Sequence, residues 1–171
     1  MKSKPSNSQR PMLRIVTLLM LPMMLLLIAD RLVAPHYRLA YNESDSLPGT
    51  LFLVRIGELP TCGPDAGEHA QFRLRNDARW YQGDRLLKVA KGCAGDVISI
   101  VDRQIYINDW LAGEAVPALN DGTPMAMITA GVIAEGHYYM WASHPASFDS
   151  RYAEFNVIPS QQIIGTATRI F

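Results

Sequence analysis

The sequence predicts a mostly β, antiparallel domain behind one N-terminal helix of membrane-spanning length. Three observations carry this. Short alternating or continuous apolar runs recur after position 50. Eleven prolines and twelve glycines punctuate them. The one long apolar run stands near the start, Ile15 to Ala29, interrupted only by Thr17 and Pro22.

Residues 1–13 read as a polar, basic tail, with Met1 to Pro11 disordered. Lys2, Lys4, Arg10 and Arg14 precede the apolar run and no acid does. Residues 14–34 read as the helix. At roughly 1.5 Å per residue, Ile15 to Ala29 is too short for a hydrocarbon core of roughly 30 Å. Extension to Ala34 reaches that length and takes in Asp30 and Arg31, whose side chains can snorkel to the interface. Pro22 is tolerable in a span. A basic flank stays cytoplasmic, which sends residues 35–171 across the membrane. A cleaved signal peptide competes with this reading, because a basic region and a short apolar core fit it too. Against it, Ala29-Asp30-Arg31 is a poor exit site.

Ala34 to Glu43 reads as a connector opened by Pro35. Thr50–Val54 is a short apolar strand and Ala70–Leu74 alternates. Val97–Val101 and Gln104–Ile107 form a hairpin turning at Asp102-Arg103. Tyr138–Trp141 and Ile163–Ile170 give two more strands. Pro60 to Gly67 and Asn120 to Gly131 are turn-rich loops. Met125 and Met127, in the second, read as core filler in preference to an apolar rim that meets lipid.

A length of 171 residues suits one domain plus a tail. A hydrophobic content of 49% demands a core. Net charge is zero, which gives no case for nucleic acid. His36, His69, His137 and His144 are scattered and read as structural or surface residues. No Cys/His spacing supports a zinc site. No metal or organic cofactor is expected. Cys62 and Cys93, in an oxidising compartment, are a candidate disulfide, with two free thiols as the alternative.

The chemistry concentrates in two segments, Asn42-Glu43-Ser44-Asp45-Ser46-Leu47-Pro48 and Leu87-Lys88-Val89-Ala90-Lys91-Gly92-Cys93-Ala94-Gly95-Asp96. A serine hydroxyl is a poor nucleophile until a base takes its proton. A lysine can be that base when burial lowers its pKa. Ser46 by itself is an ordinary turn serine. On a strand, Leu86 and Ala90 share the face of Lys88, so its amine emerges among apolar neighbours. Lys91 lies on the other face and is expected to be solvated. Asp149 and Arg151, two apart on an extended segment, suggest a structural ion pair.

Together these residues resemble the bacterial type I signal peptidases, membrane-bound serine-lysine leader peptidases. Ser46-Leu47-Pro48 is similar to the nucleophile box. Lys88, Gly92, Gly95 and Asp96 match the base box. Ser147-Phe148-Asp149-Ser150-Arg151-Tyr152 resembles the C-terminal box. Gln104-Ile105-Tyr106-Ile107-Asn108 and Glu135-Gly136-His137-Tyr138-Tyr139 are softer matches. Val89, Ala94, Trp141-Ala142 and Ala153-Glu154 depart from the family pattern. The resemblance runs from about Ser44 to the C-terminus.

The resemblance implies a coiled β-sheet fold, with Ser46 as nucleophile and Lys88 as general base. It implies that the Ser44 side chain and the Ser46 backbone N–H form the oxyanion hole, and that Ser147 orients the base. Gly95, Asp96, Asp149 and Arg151 support the site. The implied partners are an extended precursor peptide, small at the first and third positions before the cut, and the lipid bilayer. Other secretion or transfer machinery is a further expected partner. The implied location is the bacterial cytoplasmic membrane, with the catalytic domain periplasmic. The Ser-Leu-Pro form and the small size favour the TraF-like branch, which matures pilin in conjugative transfer. The alternatives are a housekeeping signal peptidase I, or a degenerate β-domain that scaffolds a secretion complex.

Overall fold

The computed structural model describes residues 9–75, 81, 83–119 and 121–171. Of the expected disordered segment Met1 to Pro11, residues 1–8 lie outside these residues and 9–11 begin a helix instead; Asn120 of the second loop also lies outside. The chain divides after Tyr37 into two units.

The first unit holds helix α1, Gln9–Val33. Its segment Arg14–Val33 is 20 residues long and buried nowhere. By length and composition it is sufficient to cross a membrane. Apolar side chains cover it on all sides, Leu18 and Leu26 among the most exposed. A helix apolar all round needs a non-aqueous surrounding.

Among the described residues the second unit is built from eleven strands, with β1 starting at Tyr37. They are β1 Tyr37–Tyr41, β2 Leu51–Ile56, β3 His69–Arg73, β4 Arg85–Gly92, β5 Val97–Val101 and β6 Gln104–Ile107. The others are β7 Trp110–Glu114, β8 Gly131–Val132, β9 His137–Trp141, β10 Ile158–Pro159 and β11 Ile163–Arg169. Seven form one sheet in the order β1-β2-β11-β3-β4-β9-β10, and four form another in the order β7-β6-β5-β8. From β2 to β10 in the first sheet, and throughout the second, neighbours are antiparallel. The fold class is the one predicted.

The β5–β6 hairpin turns at Asp102 and Arg103, with φ of 47° and 70°. Two left-handed residues match the strands' own twist, which is why this two-residue turn works. Pairing of Val101 with Gln104 fixes the register. The connector expected over Ala34–Glu43 instead contains β1. Tyr37, Leu39 and Tyr41 expose one face while Ala40 packs with Phe52 and Val54. An edge strand with one small buried residue leaves little apolar signal in sequence.

One core lies around Ile98, Ile105, Ile107, Ile133 and Tyr139. Met125 is buried in it and Met127 packs against it, so both are filler. A second joins Phe72, Leu74, Ala90, Met140, Phe155 and Ile158. Gly92 ends β4 where a Cβ would meet Ile133, Tyr139 and Ile107 within 3.1 Å. The register of β4 against β9 shifts between Ala90 and Gly92. The glycine thus lets β4 pass through a crowded junction.

Candidate active site

Ser44 and Ser46 lie in the loop between β1 and β2. Asn42 clamps that loop: its Nδ2 donates to the carbonyls of Leu47 (3.1 Å) and Gly49 (3.0 Å). Leu47, 4% exposed, packs with Val89 of β4 and with Ala142. The apolar residue after Ser46 therefore pins the loop to the strand that carries Lys88. The Ser46 carbonyl accepts from the His144 backbone N–H and from Ser143 Oγ, each at 3.4 Å. The hydroxyls of Ser44 and Ser46 are hydrogen-bonded to each other at 2.8 Å.

Lys88 is 5% exposed, and its Nζ donates to Ser147 Oγ at 2.6 Å. Burial lowers its pKa from 10.5 to about 8; Asp149 opposes the fall and Arg151 adds to it. The apolar face predicted for this lysine is present: Ala90 belongs to the second core and Leu86 packs against it. Lys91 departs from expectation. It is half-buried, its amine is hydrogen-bonded to the Pro64 carbonyl, and it lies over Trp110 and Trp141 at 5.5 and 5.6 Å. The two rings and the carbonyl replace part of its hydration.

Asp149 and Arg151 form a two-pronged ion pair, Nε to Oδ1 at 2.8 Å and Nη2 to Oδ2 at 2.9 Å. Asp149 Oδ2 also accepts from the Ala142 N–H at 3.1 Å. The guanidinium reaches further, to the carbonyls of Pro145 (3.1 Å), His144 (3.2 Å) and Ser147 (3.2 Å). Burial alone would pull the Arg151 pKa down; the hydrogen bond and charge of Asp149 outweigh it and hold it up. Ser150, to which the sequence reading gave no role, is fully buried. Its Oγ accepts from the Met140 N–H (2.9 Å) and donates to the Asn156 carbonyl (2.7 Å).

Gly95 has φ of 91°, a left-handed turn that favours glycine. Asp96 closes it, accepting from the Cys93 N–H and from Asn108 Nδ2, each at 2.8 Å. Cys62 and Cys93 are paired as a disulfide with Cα atoms 5.7 Å apart, which ties the 57–68 loop to the end of β4. Among the described residues no cluster of His, Cys, Asp and Glu could hold a metal ion. His144 is exposed at the cleft, and His69 packs against Phe52.

Ser44, Ser46, Lys88 and Ser147 all line one cleft of about 590 Å³. Two pairs form within it, Ser44 with Ser46 and Lys88 with Ser147. The expected hydrogen bond between Ser46 Oγ and Lys88 Nζ is not among them. In an empty site such bonds are often long and tighten only when substrate binds.

A family model described as signal peptidase, peptidase S26, matches residues 12–171. Among solved structures, the chain is similar to a signal peptidase I from Enterococcus faecalis. Identity is 22%, the match covers 59% of this chain and 93% of that one, and the TM-score is 0.38. No curated protein matches the chain.

Proposed function

The chain belongs to the peptidase S26 family of signal peptidases, and from that premise we propose a membrane-anchored serine endopeptidase worked by Ser46 and Lys88. The observation that carries this reading is the Lys88 amine. It is buried, poised near pH 8, and held by Ser147 in the cleft that Ser46 also lines.

In this mechanism a precursor peptide enters the cleft extended. The Ser46 hydroxyl turns from Ser44 to neutral Lys88 and loses its proton as its Oγ attacks the scissile carbonyl. The same rotation frees the Ser44 hydroxyl. That group and the Ser46 backbone N–H then donate to the developing oxyanion. Lys88 returns the proton to the departing amine, and a water activated by the same lysine releases the acyl-enzyme. Ser147 aims the amine throughout. Gly95, Asp96 and the Asp149–Arg151 pair keep its surroundings in place.

We further assign α1 as a signal anchor, with residues 1–13 cytoplasmic, 14–34 in the bacterial inner membrane and 35–171 periplasmic. The substrates are leader peptides of exported precursors. The Ser-Leu-Pro form favours prepilin of a conjugative transfer system. Ser46→Ala and Lys88→Ala should each abolish precursor cleavage in a folded, membrane-bound protein, while Lys91→Ala retains it. Cleavage by Lys88→Ala at the wild-type rate would remove the assigned base.

A further inference from the structure

Gln71 lies on β3 directly across from Leu87 of β4, while its neighbour Ala70 faces Lys88. Side chains alternate along a strand. Gln71 and Leu87 therefore occupy one face of the sheet beside the base, and Lys88 the other. Gln71 is 6% exposed, and its Oε1 is buried with no hydrogen-bond partner. It lines the same cleft as Ser46, together with Ala40, Leu86 and Leu87. A buried carboxamide oxygen without a partner costs stability. A leucine would fill the space without that cost.

We propose that Gln71 is a specificity-determining residue: its carboxamide hydrogen-bonds a hydroxyl- or amide-bearing side chain of the precursor, upstream of the cut. The inference rests on the peptidase reading above. An extended peptide presents alternate side chains to opposite walls, so one position alone reaches Gln71. Serine, threonine, asparagine or glutamine there completes the carboxamide's bonding. Alanine or valine leaves it unpaired, and a site built for a polar partner rejects an analogue that lacks it.

The test uses synthetic alanine-based leader peptides carrying Ser, Asn, Ala or Val at each upstream position in turn. Binding is measured to full-length Ser46→Ala protein in detergent, with and without Gln71→Leu, beside cleavage by the wild type. At one position, Ser or Asn should bind about tenfold tighter than Val, and Gln71→Leu should reverse the order. Without peptide, Gln71→Leu should raise Tm by about 2–4 °C by removing the unpaired amide. The same binding ratios in both proteins, or a fall in Tm, overturns the proposal. Absence of cleavage with the binding preference intact would instead count against the peptidase reading.

Discussion

Arg151 holds Ser147 by its backbone: Nη2 donates to the Ser147 carbonyl at 3.2 Å, while the Ser147 hydroxyl accepts from Lys88 at 2.6 Å. The ion pair thus reaches Lys88 through a single residue. Asp149 sets the guanidinium's direction, the guanidinium binds the carbonyls of His144, Pro145 and Ser147, and the Ser147 hydroxyl accepts from the Lys88 amine.

Asp149→Asn removes one charge from a pair that is 0% and 3% exposed at its side chains. An uncompensated buried guanidinium costs about 3–5 kcal/mol. Urea unfolding should show a loss of that size, with cleavage falling in step. A loss under about 1 kcal/mol would show that the pair does not support the site.

Ser147→Ala should leave the protein folded but less stable, because the buried Lys88 amine loses its acceptor, and should slow cleavage. A hydrogen bond to a charged group contributes about 1.5–3 kcal/mol, so kcat/KM should fall roughly 10- to 100-fold. Ser147→Thr keeps the hydroxyl and should recover part of the rate. Equal rates for wild type and Ser147→Ala would remove the orienting role.

Lys88 also makes a statement about stability. Its native pKa of about 8 lies below the ordinary 10.5. Below pH 8 the folded state carries the full penalty of burying a cation. As pH rises from 8 to 10.5 the unfolded chain holds more protons than the folded one, and stability rises. The fall from 10.5 to about 8 corresponds to about 3 kcal/mol. Lys88→Met should therefore be more stable than wild type at pH 7, by up to that amount, and the gap should narrow toward pH 10.5. Chemical denaturation of both proteins at the two pH values checks the sign. A gap that widens with pH would contradict it.

The sequence revealed most where neighbours in the chain are neighbours in space. The Asp102-Arg103 hairpin was readable because both of its strands and its turn lie within eleven residues. The apolar face of Lys88 was readable from strand alternation alone. Contacts across the fold were not. Lys91 reads as solvated because the rings of Trp110 and Trp141 arrive from β7 and β9. β7 itself, Trp110–Glu114, is short and broken by Gly113, whose missing Cβ leaves room for the Arg151 guanidinium. Gln71 carries no local signal, since its lack of a partner depends on β4 and on the loop before β2. Asn42 could have been noticed, as an amide close ahead of the Ser46-Leu47-Pro48 turn.

The pH dependence of kcat/KM tests the central claim most directly. At pH 7, a lysine with a pKa of about 8 is neutral in roughly one molecule in ten; at 10.5 it would be neutral in roughly one in three thousand. If Lys88 is the base, the rate should climb nearly tenfold per pH unit from pH 6 and level off just above pH 8. A profile that is flat from pH 6 to 9, or that levels off well below pH 8, contradicts the Ser46–Lys88 mechanism.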